Sequence, residues 1–171
     1  MTTSILGDAF AHHIWANERI LDACASLTPE QLREPMPGTY GPIIATLNHI
    51  VEADNYYLSI LRPGRVPRMQ EGVELSLDEL RAANTTQGAE YEPLLAGQLD
   101  PDADTVARGD GGSFHATLGI RLAQIVHHGT DHRSQVCTAL TSLGIEPPEI
   151  DLWAYGEFAG RTRDEVGQSS V

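Results

Sequence analysis

Apolar residues recur at three- and four-residue steps along four long stretches of the chain, the spacing of one buried face on an α-helix. From Ser4 to Leu27 the stripe is Leu6, Ala9, Phe10, Ile14, Leu21 and Cys24, with no glycine or proline after Gly7. Thr28-Pro29-Glu30-Gln31 then offers an N-cap, a proline at the first helical position and a glutamine three after the cap. That pattern predicts a short helical turn, ended by the loop Pro35-Met36-Pro37-Gly38. Gly41-Pro42 opens a second long helix, expected to run to Leu61 on the stripe Ile44, Leu47, Val51, Leu58 and Leu61, until Arg62-Pro63-Gly64 stops it. The stretch from there to about Leu75 reads as loop.

Ser76-Leu77-Asp78-Glu79 is a capping box for a third long helix reaching Leu95, a pattern weakened by Gly88 and Pro93. Residues 100 to 115, with Gly109, Gly111 and Gly112, read as a turn-rich connection with room for a short hairpin. Leu118, Ile125, Val126, Val136, Ala139, Leu140 and Leu143 hold helical period over the clearest stretch of all, and Gly144 with Pro147-Pro148 supplies its stop. The tail carries Leu152, Trp153, Tyr155 and Phe158, expected to pack back on the body, before polar residues expected to fray. Four long helices without a convincing strand ladder predict an all-α four-helix bundle. There is no internal repeat, and 171 residues make about one domain, residues 1–171.

Composition narrows the chemistry. Eleven basic against 24 acidic residues leave a formal charge of −13, which argues against nucleic acid and anionic membrane surfaces as partners. All the basic residues are arginine, so lysine Schiff bases, lysine general bases and Walker-type phosphate lysines are excluded. No GxSxG elbow or dinucleotide fingerprint is present. No apolar run approaches the roughly 18 residues of a membrane-spanning helix. The first residues, MTTSILGDAF, lack the basic and apolar regions of a signal peptide. Cys24 and Cys137 fall within helical stretches without CxxC spacing, which reads as two small core residues in a reducing, cytoplasmic setting.

The seven histidines are the distinctive feature: His12, His13, His49, His115, His127, His128 and His132. His128 and His132 are four apart, so they lie about 40° apart around one helix and a turn apart along it, where two imidazoles can converge on one ion. They share the inward side with Leu118, Ile125, Val136 and Leu143. Buried ring nitrogens need partners, and a divalent metal, a water or a carboxylate can each supply one. His49 is the candidate third ligand. It points nearly opposite to the main stripe of its helix, beside Ala45, Ala53, Tyr56 and Glu52, so it is either exposed or lines a second buried surface. Three imidazoles with one coordination position left open are the pattern of a catalytic rather than a structural zinc site.

The other histidines have plainer readings. His13 lies on the inner face of the first helix and reads as a hydrogen-bonded core or cleft residue. His12 reads as exposed, His115 as a solvated loop residue, and the i, i+4 couple of His127 and Asp131 as a lesser alternative. Arg133, about 140° round from His128, reads as tying helices together through a carboxylate. Glu52 is a candidate general base or outer-shell partner, or else an ordinary surface carboxylate, and Tyr56 lines the pocket or simply packs.

Trp15-Ala16-Asn17, Leu47-Asn48-His49-Ile50-Val51 and His127-His128-Gly129-Thr130-Asp131-His132-Arg133-Ser134-Gln135 carry a family resemblance, continued through Leu143-Gly144-Ile145-Glu146-Pro147-Pro148-Glu149-Ile150-Asp151. On these segments the chain resembles the DinB/YfiT-like superfamily of metal-binding four-helix bundle proteins. The resemblance covers nearly the whole length. It implies an up-down-down-up bundle, a homodimer, and a metal held by three histidines, here His49, His128 and His132. It also selects the buried-surface reading for His49. Zinc is the expected ion, with nickel or another transition metal as alternatives, because three imidazoles suit several ions.

The superfamily includes thiol S-transferases, isomerases and presumed hydrolases, and fold does not choose among them. The leading expectation is a metal-dependent enzyme of the thiol S-transferase or hydrolase type acting on a small-molecule substrate. It would use either a low-molecular-weight thiol or a water activated at the open position. The alternatives are a non-catalytic metal- or small-ligand-binding stress-response protein, and an all-α structural protein whose histidines are only core residues.

Overall fold

The computed structural model describes residues 4–62, 64–65, 73–109 and 111–163. The first helix, α1 (Ile5–Cys24), starts where Ser4 caps it by accepting the Gly7 N–H at 2.9 Å. The turn α2 (Pro29–Arg33) carries the predicted Thr28/Gln31 capping box. The second long helix, α3 (Ile43–Leu61), follows Pro42, and the third, α4 (Leu77–Leu95), carries the predicted Ser76/Glu79 box. Gly88 and Pro93 do not break α4. Gly88 lies against Ile14, where a Cβ would come to 3.2 Å of the isoleucine, and Pro93 falls in the last turn. Much of the loop expected between Arg62 and Leu75, and the tail expected to fray, lie outside the described residues.

The fold is mostly helical but not all-α, a correction to the expectation. Strands β1 (Asp104–Gly109) and β2 (Gly112–Thr117) form an antiparallel hairpin with Val106 opposite His115 and Ala107 opposite Phe114. Gly112, at φ +126°, makes its turn in a conformation that L side chains avoid. Only Ala107 of the hairpin is buried, so its residues lack the apolar alternation that announces a strand. Arg121 ties it to the following helix, donating from Nε to the Thr105 hydroxyl (2.6 Å) and from Nη2 to the Thr105 carbonyl (3.2 Å).

The last long helix, α5 (Leu118–Ser142), is capped by Thr117 and ends before Gly144, which adopts φ +76°. A short helix, α6 (Leu152–Phe158), capped by Asp151, then returns to α1. This return is looser than expected, because Leu152, Trp153 and Phe158 stay mostly exposed while Tyr155 contacts the rings of His12 and Trp15.

Helices α1 and α3 each pack against both α4 and α5. The buried apolar residues fall into two clusters. One contains Ile20, Leu21 and Cys24 of α1, Ile43, Ile44, Leu47 and Val51 of α3, Leu80 of α4, and Val136, Ala139 and Leu140 of α5. The other contains Phe10, Leu58, Tyr91, and Leu118 to Ile125 of the same four helices. Each fully buried large side chain contributes about 1.5–3 kcal/mol. Between the clusters every helix contributes buried polar groups: His13 and Asn17, Asp54, Asn84 and Gln87, and Arg133. In α1 and α5 the chain passes from the second cluster to the first; in α3 and α4 it passes from the first to the second. Among the described residues no helix is long and apolar enough to cross a membrane.

Candidate metal centre

The buried polar layer is built around Arg133, which is 1% exposed. Its Nη1 donates to the Asn17 amide oxygen (2.8 Å) and to His13 Nδ1 (3.1 Å), and its Nη2 donates to the Thr130 hydroxyl (3.2 Å). Because arginine only donates, His13 Nδ1 must accept, which leaves the ring proton on Nε2. That proton is donated to Asp54 Oδ2 at 2.7 Å. A neutral His13 thus stands between a buried guanidinium and a buried carboxylate, and burial lowers the Arg133 pKa to about 10. Asn17 extends the layer by donating to the Asn84 amide oxygen (2.9 Å), and Asn84 Nδ2 donates to Glu18 (2.9 Å).

Gly129 makes room for this arrangement. A Cβ there would fall 2.3 Å from His13 Cε1, 2.6 Å from His13 Nδ1 and 2.8 Å from Arg133 Nη1. Arg133 therefore links helices as expected, but through Asn17 and His13 rather than directly through a carboxylate.

His128 and His132 directly precede Gly129 and Arg133, respectively, on α5, and His49 comes from α3. The structure brings the three together, all half-buried, with one ring nitrogen of each within 4.8 Å of the others. His49 Nε2 and His128 Nε2 are 3.0 Å apart. Two nitrogens on one tetrahedral zinc, at metal–nitrogen distances of about 2.0–2.1 Å, would be separated by roughly 3.3 Å. The ring centroids of His132 lie 4.6 Å from His49 and 4.4 Å from His128. Burial, then the neighbouring His132 and His49, lowers the His128 pKa to about 4. Burial and His132 also lower that of His49. Both rings are therefore neutral near pH 7, with lone pairs to offer, so the donor set fits a divalent ion.

Two residues the sequence reading did not single out frame this cluster. The Tyr40 ring stacks on His49 with centroids 4.1 Å apart and meets His132 edge-on at 5.2 Å. Gln135 Oε1 accepts the Tyr40 backbone N–H (2.7 Å) and stands 3.3 Å from His132 Nδ1. An amide oxygen only accepts, so this contact places the His132 proton on Nδ1 and leaves Nε2 free. Gln135 lies three residues after His132, a spacing that signals proximity on a helix. Tyr40 sits in a loop and had no such signal.

The remaining histidines are held elsewhere. His12, expected to be exposed, is buried, with Nε2 2.7 Å from the Ile150 carbonyl, because the chain after α5 folds back over it. His115 is exposed, but on a strand, where its Nδ1 lies 2.8 Å from Asp104. His127 and Asp131 are both exposed. Glu52 is half-buried, and Tyr56 is exposed against the Tyr57 ring, whereas Tyr57 itself approaches His128, with centroids 6.4 Å apart. Cys24 and Cys137 are free thiols whose pKa values burial raises, that of Cys24 to about 12, so neither is an activated nucleophile.

A family model, that of the DinB family, matches residues 1–165. No curated protein sequence matches the chain. The family match and the three-histidine cluster are compatible with a metal-binding protein.

Proposed function

The chain belongs to the DinB family, and on that premise we propose that it is a metal-dependent enzyme of the thiol S-transferase or hydrolase type, with His49, His128 and His132 as the ligands. The observation that carries this reading is the convergence of three half-buried imidazoles from two helices. A divalent ion held there supplies Lewis acidity, which lowers the pKa of a coordinated thiol or water and polarises an electrophile. The chain's own residues do the rest. Gln135 holds the His132 ring in the tautomer that presents Nε2, and Tyr40 covers one face of His49. Three protein ligands leave one position for a small-molecule substrate or a low-molecular-weight thiol. Zinc is the ion we assign first, ahead of nickel.

We read the four long helices as a four-helix bundle of up-down-down-up sense, forming one domain over residues 1–171. The order in which each helix meets the two apolar clusters supports this, since α1 and α5 run one way and α3 and α4 the other. A homodimer in the cytoplasm completes the reading.

Elemental analysis of untagged protein purified without added metal, beside the His49→Ala variant, tests the site. About one zinc or nickel per chain, lost in the variant, is expected. Equal metal content in both would overturn the ligand assignment. The loaded protein is then assayed with small thiols against electrophiles, and separately with hydrolysable esters and amides. Turnover abolished by His49→Ala supports the enzyme. Stoichiometric metal without turnover in any of these assays favours a binding protein.

A further inference from the structure

We propose that Asp54 is a positioning residue of the metal centre: its second carboxylate oxygen, Oδ1, accepts the Nδ1–H of His128 when His128 Nε2 is committed to an ion. The inference rests on the three-histidine reading and extends it into the buried layer behind.

Among the described residues, three buried side-chain polar atoms lack a hydrogen-bond partner: Asp54 Oδ1, Gln87 Oε1 and His128 Nδ1. A native fold leaves few such atoms, and each asks for an explanation. Asp54 is 1% exposed, and its other oxygen is already engaged by His13. His128 Nδ1 is the complementary group. Once Nε2 faces an ion, the imidazole proton must sit on Nδ1, where it needs an acceptor.

Of the two orphaned acceptors, Gln87 belongs to α4, whose packing partners are α1 and α3, whereas Asp54 belongs to α3, which packs on α5. Asp54 is also the charged one of the two. His13, which holds Asp54, lies against Gly129, the neighbour of His128 in sequence. A carboxylate on the far nitrogen fixes the tautomer and orientation of a ligand histidine and raises its basicity. His132 already has its outer partner in Gln135, and Asp54 would give His128 a stronger, charged one.

The test uses full-length protein loaded with zinc, with Asp54→Asn as the variant. Asparagine keeps the shape and can still accept from His13, but it turns an N–H₂ towards His128 in place of an oxygen. Competition with a chelator is expected to show zinc held about 10–100-fold more weakly by the variant. Histidine-selective ¹H–¹⁵N spectra of the loaded wild type are expected to show His128 protonated at Nδ1, in slow exchange with water. That signal should shift or vanish in Asp54→Asn, a change that a purely structural role would not produce.

Zinc affinity within twofold of wild type in the variant, or a His128 ring in loaded wild type that is protonated at Nε2 or exchanges rapidly, overturns the inference and leaves the three-histidine site standing. Should Asp54→Asn not fold, the wild-type spectra decide alone. A wild type that takes up neither zinc nor nickel overturns the three-histidine reading itself, and this inference with it.

Discussion

The same turn of α5 serves two regions of opposite character. On one side Arg133, His13, Asp54 and Asn17 form a buried layer in which nearly every donor has an acceptor. On the other, His49, His128 and His132 are half-buried and turn ring nitrogens towards one another. Both regions are polar and both contain histidine. His13 is saturated, with a donor on one nitrogen and an acceptor on the other, so it has nothing left to offer an ion. His132 keeps a lone pair on Nε2 because Gln135 takes the proton of its other nitrogen, and His128 turns its Nε2 towards that of His49. A histidine's role follows from what its two nitrogens meet more than from its depth in the fold.

Breaking the buried layer should be the costlier act. Arg133→Ala removes the cation that balances Asp54 and should destabilise the protein by about 3–5 kcal/mol, measured by urea unfolding. A loss below 1 kcal/mol would show that the layer does not depend on that charge. On the open side, His128→Ala or His132→Ala should leave the fold intact. Each should weaken metal binding by more than the roughly 100-fold that losing an outer partner costs, while His12→Ala leaves it unchanged. Equal retention in all three would remove the distinction between the two regions.

Gly129→Ala probes their boundary. Alanine is the better helix former by about 1 kcal/mol, yet its Cβ would collide with His13, so a net destabilisation of about 1–3 kcal/mol is expected. A more stable variant would mean that His13 can move aside.

The smallest effect is the response of the metal-free protein to acid. His12, His49 and His128 have pKa values held below the ordinary 6.5, that of His128 at about 4. The unfolded chain therefore binds protons first as the pH falls, and the fold loses stability between about pH 6.5 and 4. Thermal melting should show this loss, and bound metal, which only the folded protein holds and only with deprotonated imidazoles, should steepen it. A melting temperature flat over that range in metal-free protein would contradict the neutral rings.

The long helices were legible because period, caps and stops agree locally: both capping boxes form, and Gly144 ends α5 as its position suggests. The i, i+4 spacing of His128 and His132 already placed two imidazoles on one edge of a helix, and the family resemblance named His49 as their partner. The hairpin was half visible, as glycines without an apolar alternation. The burial of His12 was invisible, since it depends on the Ile150 carbonyl 138 residues away.

The sequence by itself therefore determined the helices, their inward faces and the pair on α5, because these depend on residues within a few positions of one another. Only the tertiary structure decided which way His49 faces, that Tyr40 and Gln135 border the cluster, and that Asp54 sits behind it paired with His13. Each of those is a contact between elements, made by helix packing that no local period encodes. The physical reason is the same throughout: a ring nitrogen or a carboxylate acquires its chemistry from partners distant in the chain. Those partners are chosen when the apolar faces close and water is excluded.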